Sequence, residues 1–151
     1  MKVALFDIAV KGVCSAKPEV FAHNMETVAR LHATVRPQAK YERSLQVLEL
    51  AKKLGMTVKS GIMVGLGETK EEVAEVMRDL VNTGCELFTI GQYLQPSPKH
   101  LPVKEFVQPE VYLEYKHIGE ALGLKHVQAG AMVRSSYRAE TQEQFLRSSD
   151  R

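Results

Sequence analysis

Three times along this 151-residue chain, an amphipathic helical pattern ends at a glycine and runs into a short apolar stretch. The first pattern covers roughly residues 39–54, with Val47, Ala51 and Leu54 on one face, Leu48 beside them and Gly55 as the stop. "MTVKSGIMV" (56–64) follows as a strand. The second helix opens with Thr69 and Glu72 at capping-box spacing. Val73, Val76, Met77 and Leu80 make its apolar face. Gly84 ends it, and "ELFTI" (86–90) is the next strand. The third starts near Pro109, a favoured first-turn proline. It carries Tyr112, Tyr115, Gly119 and Leu122 on one face, ends at Gly123 and leads into "LKHVQA" (124–129). "PEVFAHN" (18–24) reads as one more strand end, joined to the first helix by a long connection. Strands alternating with helices of this length predict an α/β fold with parallel strands.

Length supports one domain with a real core. A formal net charge of +2 and the lack of any lysine/arginine run give no reason to expect nucleic acid. No apolar stretch is long enough to span a membrane. At the start, "MKVALFDIAVKGVC", Asp7 interrupts the apolar run, and a buried strand over residues 3–10 is the expectation rather than a signal peptide. Cys14 and Cys85 lie far apart, which points to a reducing compartment and excludes a local C-x-x-C motif. Four prolines, Pro96, Pro98, Pro102 and Pro109, mark residues 92–108 and just beyond as a structured loop too long for a linker, a sign of function.

In parallel β/α folds the chemistry collects at the C-terminal ends of the strands. Here those ends read "AHNMET", "GIMVGLGE", "TIGQYLQPSPKH" and "GAMVRSSY". All are rich in polar residues and glycine. "GIMVGLGE" (61–68) lacks the G-K-[ST] of a phosphate loop and contains no G-x-G-x-x-G. It reads either as a plain turn or as backbone built for close approach to a ligand. In "AHNMET", strand alternation puts Asn24 and Glu26 on one side and His23 on the other. Asn24 and Glu26 suit the hydroxyls of a ribose or similar polyol, although Asn24 suits a helix N-cap equally well. His23 reads as a packed histidine, and His100 and His126 have no partner at metal spacing, so no zinc site is expected. Pro37 forces Arg36 to be extended, placing its guanidinium to clamp a carboxylate or to sit solvated at the surface. In "RSSY", Ser135 and Ser136 lack a nucleophile elbow, and their local reading is a polar turn.

Taken together and in order, "HNMET", "VRPQAKYERSL", "KSGIMVGLGET", "TIGQYLQPSPKHLPV" and "VRSSY" resemble the C-terminal half of lipoyl synthases, a family of the radical S-adenosylmethionine (SAM) superfamily. The resemblance runs from about Pro18 to about Ala139. Residues 1–17 form a poorly matched segment, 18–139 a half-barrel and 140–151 a polar tail. It implies the C-terminal half of a partial (β/α)6, TIM-like barrel. In the family, two [4Fe-4S] clusters serve the reaction. One reductively cleaves SAM to a 5′-deoxyadenosyl radical, and the other is consumed as the sulfur donor. Sulfur enters at C6 and C8 of a protein-bound octanoyl chain. By position, Asn24 and Glu26 are expected near the SAM ribose and methionine ends. Arg36 is the candidate for the carboxylate. Gly61, Met63, Gly65 and Glu68 are expected along the adenine side, with Gln92 and Gln95 at the mouth of the sixth barrel strand. A serine of "RSSY", Ser135 with Ser136 as the alternative, is the implied ligand of the auxiliary cluster.

The family's two cysteine triads, C-x-x-x-C-x-x-C and C-x4-C-x5-C, are absent, and Cys14 and Cys85 fit neither. Cluster iron is held by thiolates. The expectation is therefore a fragment, inactive alone and binding no cluster, whose missing half another segment or a second chain supplies. Implied partners are an octanoylated lipoyl domain or H protein and an electron donor, with no nucleic acid and no membrane. The expected location is the cytoplasm, with an organellar origin open. Two other readings stand beside this one: another radical SAM enzyme fragment, and a non-catalytic half-barrel that binds a ligand or partner.

Overall fold

The computed structural model describes residues 5–37 and 40–134. Its order is α1 (Leu5–Ser15), β1 (Val20–Ala22), a 3-10 turn (Ala29–Leu31), α2 (His32–Val35), α3 (Tyr41–Lys53), β2 (Thr57–Val64), α4 (Lys70–Thr83), β3 (Leu87–Gln92), α5 (Pro109–Leu122) and β4 (His126–Ala129). The four strands form one sheet in the order β1-β2-β3-β4, every neighbouring pair parallel. Parallel neighbours require crossovers, and α3, α4 and α5 supply them.

Register decides what each face does. Gly61 pairs with Thr89, Met63 with Gly91, and Thr89 with Gln128. Alternation puts Lys59, Gly61 and Met63 on one face beside Thr89 and Gly91. The opposite face carries Val58, Ile62, Val64, Phe88 and Ile90, which join the core with Val47, Leu48, Val76, Met77, Tyr112 and Tyr115 of the helices. One face is thus apolar and helix-covered, while the other is set with glycines and polar groups. This is the layout of half a (β/α) barrel.

The helix boundaries follow local chemistry. Thr69 caps α4: its hydroxyl accepts from the Glu72 amide at 3.1 Å, and Glu72 Oε1 accepts from the Thr69 amide at 2.9 Å. Val73, Val76, Met77 and Leu80 are all buried, as the spacing predicts. Gly84 ends α4 in the left-handed region at φ +92°, where a β-carbon is strained. Pro109 occupies the first turn of α5.

Two expectations are corrected. Residues 3–10 were expected as a buried strand, but Leu5–Ser15 is a helix. An apolar run without period-two alternation does not separate strand from helix. Here Asp7 favours the first turn of a helix. Val10 and Cys14, four residues apart, are buried in the core, while Ile8 and Val13 are exposed. Leu54 was placed on the apolar face of the first helix, but it caps the C-terminus of α3 and is 40% exposed.

Candidate functional site

At the C-terminal ends of β1, β2 and β3 lies a cleft of about 350 Å³. Asn24, Glu26, Gly61, Ile62, Met63 and Thr89 line one part of it, and Gly91, Leu94, Gln95, Pro96, Val133 and Arg134 the rest, with Gln92 between. Gly61 keeps the floor open. A β-carbon there would run into the Thr89 hydroxyl and approach Asn24 Oδ1 at 3.4 Å.

Glu26 is held unusually. Its φ is +70°, a left-handed backbone that non-glycine residues adopt only when their surroundings enforce it. The Glu26 amide donates to the Gly61 carbonyl at 3.1 Å, and the Met63 amide donates to the Glu26 carbonyl at 2.8 Å. The kink turns the chain beyond β1 back along β2 and sets the carboxylate in the cleft. Asn24 stands beside it. The N-cap reading of Asn24 falls, because no helix starts there and Val28 precedes the first helical turn. His23 turns away, its Nε2 3.1 Å from Ser44 Oγ on α3, and burial pushes its pKa down with help from the Arg36 charge.

Arg36 leaves the helical region before Pro37, but at φ −134° and ψ 69° it ends α2 short of the fully extended backbone expected. Its Nη1 donates to the Asn24 carbonyl at 2.9 Å. It lines a second, contiguous cleft of about 640 Å³ that shares Glu26, Met63, Leu94 and Pro96 with the first and adds Tyr93, Lys99 and His100. The whole connection is braced. Arg30 Nη2 donates to the Gly67 carbonyl at 2.9 Å and to Glu72 at 3.0 Å. His32 Nε2 lies 2.9 Å from the Met25 carbonyl, and the Tyr41 hydroxyl donates to Asp79 at 2.6 Å.

Three of the expected ligand residues also brace the frame of the cleft. Glu68 Oε1 accepts from the amides of Gly65 at 2.7 Å and Leu66 at 3.1 Å, closing the turn after β2. Burial pushes the Glu68 pKa up, opposed by those amide bonds. Gly65, at φ +97°, accepts from the Lys104 amide at 2.8 Å and the Glu105 amide at 3.3 Å. Gln92 is buried, and its carboxamide is engaged on all sides by the 93–108 loop and α5. Sequence reasoning missed Thr89, Gly91, Leu94 and Val133 as lining residues. Register against Gly61 and Met63 was the signal for the first two.

Comparison with known proteins fixes the family. The Radical SAM superfamily model matches residues 6–80. The chain is 55% identical over 134 residues to the lipoyl synthase of Caldicellulosiruptor saccharolyticus, covering 87% of this chain and 47% of that protein. It is 57% identical over 129 residues to the lipoyl synthase of Flavobacterium johnsoniae, covering 85% and 45%. The chain belongs to the lipoyl synthases of the radical SAM superfamily. The mitochondrial lipoyl synthase of Nematostella vectensis is also 57% identical, with 85% of this chain and 44% of that protein covered. The chain spans about half the length of the curated relatives it matches. In fold, SuiB of Streptococcus suis superposes with a TM-score of 0.57 at 9% identity, over 94% of this chain and 32% of that one.

The lipoyl synthase family implies SAM and iron–sulfur clusters, and the described residues fit the first. A cleft floor kept low by Gly61 and Gly91, with Met63 beside them, suits a flat heteroaromatic ring. The oxygens of Asn24 and Glu26 suit ribose hydroxyls or an amino group. Gln128 Oε1, on the strand paired with cleft-lining Thr89, is buried without a partner, an acceptor still to be met on this face. The two thiols do not fit a cluster. Cys14 is buried on α1. Cys85 sits in the core, where its thiol donates to the Leu87 carbonyl at 3.2 Å, and burial pushes its pKa up to about 12. Ser135 and Ser136 lie outside the described residues. Arg134, the last described residue, is on the cleft rim, its Nη1 donating to the Val133 carbonyl at 2.8 Å. Among the described residues, no helix is long and apolar enough to cross a membrane.

Proposed function

We propose that this chain is the SAM-cradling half of a lipoyl synthase barrel. The complete protein inserts sulfur at C6 and C8 of an octanoyl chain carried on a lipoyl domain or H protein, drawing on an external electron donor. The observation that carries the reading is the convergence of Asn24, Glu26, Gly61 and Met63 on one cleft at successive parallel strand ends. SAM bound there supplies the radical chemistry of the superfamily. The residues of this chain bind and orient it. Asn24 and Glu26 meet the ribose hydroxyls and the amino end. Gly61 and Met63 admit the adenine, and Gln95 closes the rim. Arg36, pinned through Nη1 to the Asn24 carbonyl, turns its remaining donors to the carboxylate in the adjoining cleft. Gly65, Glu68 and Gln92 hold the frame behind these groups.

The iron–sulfur clusters belong to cysteines that this chain does not carry, and no step is assigned to Cys14 or Cys85. Ser135 keeps the role of auxiliary-cluster ligand carried over from the family. Iron content and sulfur insertion in Ser135→Ala against Ser136→Ala of a complete protein test it. Loss in the Ser136 variant alone would move the role to that residue. The cytoplasm is the proposed compartment, checked by fractionation of the native host.

The cradle is tested by calorimetric titration of SAM into a complete protein carrying Glu26→Ala. Loss of one charge-assisted hydrogen bond is worth about 1.5–3 kcal/mol, so affinity should fall about tenfold or more. Unchanged affinity would count against the assignment.

A further inference from the structure

Gln92 ends β3 and begins the long loop that walls both clefts. A carboxamide has two N–H donors and one oxygen with two lone pairs. All four are used here. Nε2 donates to the Tyr93 carbonyl at 2.9 Å and to the Glu105 carbonyl at 2.9 Å. Oε1 accepts from the Val107 amide at 2.9 Å and from the Tyr112 hydroxyl at 3.3 Å. The partners leave no choice of orientation, because two carbonyls face the nitrogen and two donors face the oxygen. Residues 93 and 105–107 are the two ends of one loop, and Tyr112 belongs to α5. One side chain therefore ties the exit of β3, the return of the loop and the helix that follows.

The loop has its own stiffening beyond this point. The Tyr93 hydroxyl donates to the Leu101 carbonyl at 2.7 Å, Gln95 Nε2 donates to the His100 carbonyl at 2.9 Å, and Ser97 Oγ lies 2.8 Å from His100 Nδ1. The Lys104 and Glu105 amides dock on the Gly65 carbonyl. A β-carbon at Gly65 would collide with the Gln92 carboxamide and the Glu105 carbonyl, so the glycine and the carboxamide form one joint. The loop is a preformed arch, and the buried Gln92 side chain sits at its base. Leu94, Gln95 and Pro96, which line the cleft, hang from that base.

We propose that Gln92 is a positioning residue: it clasps the two ends of the 93–108 loop and thereby sets the cleft wall, its carboxamide spent on those bonds rather than on ligand. The identity of the ligand rests on the SAM reading above, whereas the clasp does not.

The test compares Gln92→Met, which keeps length and loses every bond, with Gln92→Glu, which keeps the acceptor half and loses the donor half. Amide hydrogen exchange of the full chain without ligand reads the clasp. In both variants the Lys104 and Glu105 amides should exchange at least about tenfold faster than in the parent chain, because their local opening becomes easier. The Val107 amide should speed up in Gln92→Met and stay protected in Gln92→Glu. Amides of β2 and α4 should not change. Uniform acceleration across β2 and α4, parent-like exchange at Lys104 and Glu105, or parent-like exchange at Val107 in Gln92→Met, would overturn the clasp.

SAM titration into a complete protein then reads the positioning. Gln92→Met should weaken affinity by about tenfold, near 1.4 kcal/mol. If Glu26→Ala weakens SAM binding and Gln92→Met does not, the positioning role falls and the SAM reading survives. If neither variant changes the affinity, both fall.

Discussion

Glu26 combines a left-handed backbone with a side chain in the cleft, and the two can be separated by substitution. Glu26→Gly relieves backbone strain of about 1 kcal/mol and adds unfolded-chain entropy of about 0.4–1 kcal/mol. The fold should keep its stability within about 1 kcal/mol of the parent in urea denaturation, while the carboxylate is lost from the site. Gly61 argues the other way. Gly61→Ala should cost about 1–3 kcal/mol by overpacking, since the new methyl meets Thr89 and nears Asn24. Adding Thr89→Ala should recover part of that cost in a double-mutant cycle. Strict additivity would contradict the contact. The sequence exposed these two residues for different reasons: glycine at a strand end is visible as a type, and Glu26 is visible through its alternation with Asn24. The left-handed turn at Glu26 was not visible, because a glutamate carries no local signal for it. Only hydrogen bonds to a distant strand enforce it.

Helix α4 owes its start to a reciprocal cap, so Thr69→Ala should destabilise the chain by about 1 kcal/mol, while Thr69→Ser stays near the parent in the same urea titration. Arg30 adds a pH dependence. Its hydrogen bonds hold the Glu72 carboxyl down to about 2, below the ordinary value of 4.5. A carboxyl lowered on folding contributes stability that is present above its unfolded value and lost as pH falls through the folded one. The parent should therefore lose stability between pH about 4.5 and about 2, and Arg30→Ala should show a shallower loss over that window. An identical acid limb in both proteins would contradict the link. Elements with a start signal, a period and a stop glycine were readable in advance, as α4 with its cap and α5 with its first-turn proline show. Leu5–Ser15 was not, because its apolar run has the length of a strand and only tertiary contact with α3 reveals the period. The 3-10 turn and α2 were hidden inside a connection whose order comes from Arg30, His32 and Arg36 bonding to remote carbonyls.

Across the molecule, a parallel sheet with helices on one face leaves a glycine- and polar-lined face open at the strand ends, and the cleft is a consequence of that arrangement. The buried thiols of Cys14 and Cys85 lead to a direct expectation. Anaerobic reconstitution of this chain with iron and sulfide should give no near-stoichiometric four-iron loading by metal analysis, and such loading would contradict the reading of both thiols as core residues. The account stands most directly on where SAM sits. A crystal structure of a complete protein containing this chain, grown with SAM, should place the ligand at the ends of β1, β2 and β3. Glu26 or Asn24 should lie within about 3.2 Å of one of its polar atoms, over the face that carries Gly61 and Met63. SAM bound with neither side chain in contact would contradict the account.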